Sequence, residues 1–164
     1  MANIKDPFNK RKEESQASVD NAKKFYLAGG EYANDFAWID QQELITYQEK
    51  LEVPFFIMKM PDLVVISKDT GSRLVEVKGG CKDHVKLKFE DLKGYRMWNK
   101  VCKVYIHIDR ENKPLIVSFD KIDALFKKNK DIYKTDFMPD NMKCYFELPY
   151  ADIIWKKDPA LIVV

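Results

Sequence analysis

Residues 61–78, which read PDLVVISKDTGSRLVEVK, decide the fold that the sequence predicts. Two short runs rich in valine, isoleucine and leucine, at 62–67 and 73–78, flank the polar segment KDTGS at 68–72. β-Branched residues favour strands, and a short polar segment that contains glycine favours a tight turn. The sequence therefore predicts a β-hairpin whose turn lies at 68–72.

Three charged residues occupy defined positions on the two strands of this hairpin. Side chains alternate between the two faces of a strand, so Glu76 and Lys78 share one face. Val75 and Val77 share the other face, which we expect to point into the core. Asp62 begins the neighbouring strand, and strand pairing would bring its carboxylate toward Glu76. We therefore expect two carboxylates and one ammonium group to meet at the end of a sheet.

This combination of side chains suits the cleavage of a phosphodiester bond. Hard cations such as Mg²⁺ take oxygen ligands, commonly one or two carboxylates together with a substrate phosphate. A bound cation of this kind acidifies a water molecule and polarises the phosphoryl oxygen. A neighbouring lysine is able to orient that water or to offset the charge that develops on the phosphate.

The rest of the chain reads as helices and strands arranged around the hairpin. Helices are predicted at 18–27, at about 40–51 (ended by Pro54), at 90–99 and at 120–128. Strands are predicted at 55–58, 104–108, 115–118 and 144–148. Residues 1–16 are interpreted as a flexible N-terminal arm, and residues 17–164 as a single domain. The order of elements predicts an α/β fold, a mixed central β-sheet flanked by helices.

The charge of the chain is unevenly distributed. The net charge of the 164 residues is only +2, but the segment 78–103 carries +5 and the remainder −3. Such a segment is typical either of a solvated surface or of a surface that binds phosphates. The three cysteines form no disulfide pattern, and neither a signal peptide nor an apolar run of membrane-spanning length is visible. A cytoplasmic location is therefore expected.

The motif resembles that of a known superfamily of enzymes. Pro61-Asp62, a gap of thirteen residues and then Glu76-Val77-Lys78 are similar to the signature of the PD-(D/E)xK nucleases. These include restriction enzymes and Holliday-junction resolvases. The resemblance covers roughly residues 40–128 and implies a restriction-endonuclease-like fold and a Mg²⁺- or Mn²⁺-dependent nuclease. It also implies that Asp62, Glu76 and the carbonyl of Val77 bind the metal, and that Lys78 assists the attacking water.

The same resemblance implies further site residues outside the hairpin. Many members carry a glutamate on a helix before the first strand, and Glu43 is the candidate here, with Glu49 and Asp20 as alternatives. Members also carry a polar residue, more often glutamine, on the helix after the lysine strand, where this chain offers Lys93 or Arg96. The residues expected to hold the DNA backbone are Lys82, Lys86, Lys88, Lys93 and Arg96. A duplex cut on both strands would favour a homodimer.

Three other interpretations remain open at this point. A nuclease of the same fold could act on RNA instead of DNA. A binding module for nucleic acid or protein could use the same scaffold without catalysis. In the simplest alternative, Asp62 caps a strand and Glu76 forms an exposed ion pair with Lys78 on a sheet edge.

Overall fold

The computed structural model describes residues 7–36, 53–110, 113–138 and 143–154. The helices within these ranges are α1 (Pro7–Ala28), α2 (Phe55–Met58), α3 (Phe89–Trp98), α4 (Phe119–Asn129) and α5 (Tyr150–Ile153). The strands are β1 (Tyr32–Asp35), β2 (Leu63–Ser67), β3 (Gly71–Gly79), β4 (His84–Lys88), β5 (Val104–Asp109), β6 (Leu115–Ser118), β7 (Thr135–Met138) and β8 (Lys143–Pro149).

The strands form two sheets. The larger sheet has five strands in the order β1-β2-β3-β5-β6, and β3 pairs in parallel with β5 while its other pairs are antiparallel. The smaller sheet is antiparallel, in the order β4-β8-β7. In the hairpin of β2 and β3, Gly71 has a φ of 74°, a left-handed conformation that glycine adopts without strain. The β-hairpin predicted from 61–78 and the mixed central sheet are thus confirmed.

The larger sheet is covered on both faces, so β3 has two buried sides. On one face, Tyr26 of α1 packs in a cluster with Val75 and Val77. On the other face, Leu74 packs in a second cluster with Leu92 of α3 and with residues of α4 and the smaller sheet. Each fully buried aliphatic side chain stabilises the fold by about 1.5–3 kcal/mol. Glu76 and Lys78 share the face of Leu74, so the fold carries them into the α3 side of the molecule.

Two differences from the sequence prediction concern helices. Residues 55–58 form a helix and not a strand, because the carbonyl of Pro54 accepts the amide of Ile57 and Phe56 packs against Trp98. Helix α1 begins at Pro7 and includes part of the segment assigned to a flexible arm. Residues 10–17 are exposed on this helix and form no apolar stripe, which is the pattern by which a helix is predicted from sequence. The division into arm and domain stays a prediction.

Strands β1, β4 and β7 were not predicted. Strand β1 has no apolar alternation, since it reads YAND and lies at the edge of the larger sheet. In β4, Val85 and Leu87 are buried, but the intervening histidine and lysines led to its interpretation as a basic segment. The helix predicted at about 40–51 lies outside the described residues. Among the described residues, no helix is long and apolar enough to cross a bilayer.

His107 on β5 makes the fold sensitive to acid. It is 1% exposed, and its Nδ1 lies 3.2 Å from the hydroxyl oxygen of Tyr26. Burial lowers the pKa of His107 to about 4, although the charge of Asp109 opposes this. The unfolded chain takes up this proton near pH 6.5. The contribution of neutral His107 to the free energy of unfolding is therefore fully present above that pH and is lost as pH falls toward 4.

We therefore expect the free energy of unfolding to fall by about 3 kcal/mol more in the parent protein than in His107→Gln between pH 7 and pH 4. Urea unfolding of both proteins at several pH values measures this difference. Subtracting the two curves removes the contribution of all other titrating groups. Parallel curves would show that the protonation of His107 does not limit stability.

Candidate active site

Glu76 and Lys78 form a buried ion pair on a central strand. Glu76 is 7% exposed, and its Oε1 lies 2.6 Å from Nζ of Lys78. Because β3 lies between β2 and β5, this pair is not an exposed pair on a sheet edge. Removing two charges from water costs several kcal/mol for each charge before their mutual attraction is counted. A buried pair of this kind therefore adds little to the net stability of a fold. Its position favours a functional role.

Asp62 lies immediately before β2 and is joined to the strand that carries the pair. Its Oδ2 accepts a hydrogen bond of 2.7 Å from the backbone N–H of Val77. Burial and the neighbouring charge of Glu76 raise the pKa of Asp62 to about 8, although Lys78 and the hydrogen bond from Val77 act in the opposite direction. The charge of Glu76 therefore lies close enough to Asp62 to disfavour the ionisation of that carboxyl.

A third carboxylate, which the sequence analysis missed, comes from α3. Asp91 is 5% exposed, and its Oδ2 lies 3.3 Å from Nζ of Lys78. Its Oδ1 lies 2.9 Å from Nζ of Lys59, which follows α2. Burial would raise the pKa of Asp91, but Lys78 and Lys59 outweigh it and hold that pKa well below its usual range. Asp91 is therefore a permanent anion between two ammonium groups.

The lysines of this cluster remain charged for the same reason. Burial alone would lower the pKa of Lys78, but the carboxylates of Glu76 and Asp91 raise it well above the usual value. Burial would also lower the pKa of Lys59, and the charge of Asp91 together with a hydrogen bond to Glu90 raises it. The cluster thus presents fixed positive charge beside the two carboxylates on the β2 and β3 side.

Tyr95, four residues after Asp91 and therefore on the same face of α3, completes the surroundings of Glu76. Its hydroxyl interacts with the carboxylate of Glu76, and Nζ of Lys78 lies 5.9 Å from the centre of its ring. Burial, followed by the charges of Glu76 and Asp91, raises the pKa of Tyr95 well above its usual value. The tyrosine hydroxyl therefore stays neutral beside Glu76. The spacing of Asp91 and Tyr95 was the available sequence signal.

The residues predicted to bind DNA occupy different places. Lys88 ends β4, where burial and Lys78 lower its pKa. Lys86 lies on the same face of β4 but pairs with Asp136 and Glu147, and Lys82 is exposed before the strand. On α3, Lys93 lies over the ring of Phe55 and Arg96 pairs with Asp123. The polar side chain that α3 directs at Lys78 is thus Asp91. The DNA-binding role of these residues stays a prediction.

The predicted helix glutamate, Glu43, lies outside the described residues, as does the alternative Glu49. The other alternative, Asp20, lies exposed on α1 and accepts a hydrogen bond from Gln16. Among the residues that the structure describes, no three histidine, cysteine, aspartate or glutamate side chains are arranged to hold a metal ion. Within these described ranges, Asp62 and Glu76 remain the carboxylates predicted to bind a cation.

Comparison with known proteins is informative at the level of the fold. No protein-family model matches the sequence, and no curated protein matches it. Among solved structures, Hjc, a Holliday junction resolvase from Archaeoglobus fulgidus, is similar, with a TM-score of 0.51 and 10% identity over 85% of this chain and 86% of that one. D212, a nuclease from a fusselovirus, has a TM-score of 0.48 and 14% identity over 93% of this chain and 89% of that one. The chain has the restriction-endonuclease-like fold, as its resemblance to the PD-(D/E)xK nucleases predicted.

Proposed function

We propose that this chain is a metal-dependent nuclease that hydrolyses DNA phosphodiester bonds at a site formed by Asp62, Glu76 and Lys78. The observation that carries the proposal is the burial of the Glu76–Lys78 ion pair on β3, with Asp62 bonded to the same strand. Charged groups with displaced pKa values inside a fold cost stability, and they occur preferentially at functional sites.

The donor set fits a hard divalent cation such as Mg²⁺ or Mn²⁺. Asp62 and Glu76 provide two carboxylates, and the carbonyl of Val77 is the proposed third protein ligand. A cation held beside Asp62 would favour the ionised form of this carboxyl and so offset its raised pKa. When bound, Mg²⁺ acts as a Lewis acid on the phosphoryl oxygen and lowers the pKa of a bound water.

The side chains of this chain supply the remaining steps. Asp62 and Glu76 would hold the cation on one side of the reacting phosphate. Lys78, whose ammonium is fixed and charged, stabilises negative charge that develops on the phosphoryl oxygens and orients the attacking water. Tyr95, which is neutral and buried beside Glu76, is the proposed donor of a hydrogen bond that orients this carboxylate. The proposed role of Glu43 is that of a further metal-site carboxylate.

DNA is the proposed substrate, and branched DNA is the first structure to test, because Hjc is described as a Holliday junction resolvase. A homodimer would place two such sites on two strands of one duplex. The experiment is a digestion panel of linear, nicked, branched and single-stranded DNA beside RNA, with Mg²⁺ or with EDTA. Glu76→Gln, which keeps the size of the side chain, is the control. Cleavage of any DNA that requires Mg²⁺ and Glu76 supports the proposal, whereas cleavage of RNA alone would transfer it to RNA.

Lys82 and Lys88 should contact phosphates, because they lie in the segment that leads from β3 to α3. Lys82 lies just after β3, and Lys88 lies just before α3. Replacing both with alanine is expected to flatten the plot of log affinity for duplex DNA against log salt by up to about 0.9 per lost contact. Lys86 is expected to contribute less, since Asp136 and Glu147 already compensate its charge. Fluorescence anisotropy between 50 and roughly 200 mM salt measures the slope.

The matched control is Lys68→Ala in the β2–β3 turn, an exposed lysine at the end of β3 opposite to Lys78. It should leave the slope of the salt plot as it is in the parent. A slope that is equal in Lys68→Ala and in the variant with both alanines would show that Lys82 and Lys88 belong to a solvated surface only.

A further inference from the structure

Lys78 has two carboxylate partners, and only one of them is a proposed metal ligand. Its ammonium lies 2.6 Å from Oε1 of Glu76 and 3.3 Å from Oδ2 of Asp91. Glu76 lies on the same strand, whereas Asp91 approaches from α3 in the first turn of that helix. The ammonium is therefore held between a strand and a helix.

These two partners differ in what happens to them when the site is loaded. A cation on Glu76 offsets the charge of that carboxylate and repels the nearby ammonium, so the attraction of Glu76 for Lys78 weakens. Asp91 is not among the proposed ligands, and its attraction for Lys78 persists. Without Asp91, the Lys78 ammonium would either compete with the cation for Glu76 or move out of the site.

Asp91 is itself held in place by a specific contact with the ammonium of Lys59. Lys59 donates to its Oδ1 at 2.9 Å and to Glu90 at 2.8 Å. The stem of Lys59 reaches this position across the backbone of Gly94 on α3, where a Cβ would collide with Cβ and Cγ of Lys59. Only a glycine at position 94 lets α2 and α3 approach closely enough for Lys59 to reach Asp91.

We propose that Asp91 is a positioning residue: it holds the Lys78 ammonium at the phosphate when Glu76 engages a divalent cation, and Lys59 fixes Asp91 for this purpose. The inference rests on the proposed function, because it takes Glu76 as a ligand. It adds Asp91, Lys59 and Gly94 to the residues on which the reaction depends.

The test is a double-mutant cycle between Asp91→Asn and Lys78→Met. Mg²⁺ affinity is measured by calorimetry, and cleavage is measured in single turnover at saturating Mg²⁺. In the parent background, Asp91→Asn should lower both quantities by roughly tenfold, because Lys78 then pairs with Glu76 alone and competes with the cation. In the Lys78→Met background, the same substitution should change both by less than about threefold.

Two outcomes overturn the inference while leaving the proposed function intact. Equal losses in both backgrounds would mean that Asp91 acts on the cation directly, and no loss in the parent background would mean that Glu76 alone holds Lys78. A parent protein that binds no Mg²⁺ and cleaves no DNA would instead remove the proposed function, and this inference with it.

Folding is controlled by two further variants. Asp120→Asn is the matched control, since Asp120 also lies in the first turn of a helix and pairs with a lysine, Lys103, at 2.7 Å. It should leave metal affinity and cleavage unchanged. If Asp91→Asn does not fold, the double variant Asp91→Asn/Lys59→Met takes its place in the cycle. This double variant removes one charge of each sign, and the expected result is the same.

Discussion

Replacing Lys78 by methionine is expected to lower the single-turnover rate of DNA cleavage by roughly 10²–10³, the scale of losing one preorganised electrostatic donor. Methionine keeps much of the lysine stem and removes the charge. The ammonium lies beside Glu76 and Asp91, and its raised pKa keeps it charged at neutral pH. Its effect should therefore belong mainly to the transition state and only to a small extent to the binding of DNA.

The same substitution should leave Mg²⁺ binding in place, because Lys78 is not a ligand. DNA affinity should fall only by what one phosphate contact supplies. Lys127→Met is the matched control, since Lys127 also pairs with an aspartate, at 2.6 Å, but on the exposed side of α4. Circular dichroism confirms that both variants are folded. A folded Lys78→Met protein that cleaves at the parent rate would remove Lys78 from the mechanism.

Replacing Asp62 by asparagine is expected to lower Mg²⁺ affinity by about 10²-fold or more, beyond the 10–100-fold typical of losing a group that only supports a ligand. The asparagine oxygen is still able to accept the hydrogen bond from the N–H of Val77, so the strand pairing is preserved. The loss would therefore report the missing charge. Calorimetry on the folded variant measures the affinity.

In the metal-free protein, the stability of the parent relative to the same variant should fall as pH rises. The folded protein holds the Asp62 proton up to about pH 8, whereas the unfolded chain releases it near pH 3.8. The stability that this proton contributes is fully present below about pH 4 and is lost as pH rises toward 8. In EDTA, the free energy of unfolding of the parent should therefore fall relative to Asp62→Asn across this interval. A difference that does not change with pH would contradict the raised pKa.

The sequence predicted the part of the site that depends on local periodicity. The two-residue period of a strand is enough to place Glu76 and Lys78 on one face, and the turn at 68–72 is enough to pair the strands that carry Asp62 and Glu76. Short apolar runs are ambiguous, however, and residues 55–58 form a helix because Pro54 and the contact of Phe56 with Trp98 favour it.

The part of the site that comes from other elements could not be predicted in this way. Asp91 has the sequence context of an ordinary acidic residue in the first turn of a helix, where it interacts favourably with the helix dipole. Its role depends on the approach of Lys59 across Gly94, which is a tertiary contact between residues far apart along the chain. Likewise, nothing local distinguishes Lys86, which is compensated by Asp136 from another strand, from its neighbour Lys88.

The most direct test of metal-dependent hydrolysis at Asp62, Glu76 and Lys78 is single-turnover cleavage of a labelled four-way DNA junction by the purified protein. Parent and Glu76→Gln are compared at equal concentration, with Mg²⁺ and with EDTA. We predict cleavage by the parent that starts when Mg²⁺ is added and stops with EDTA, and no cleavage by Glu76→Gln although it still folds. Equal cleavage by both proteins, or cleavage by the parent that persists in EDTA, would contradict the account.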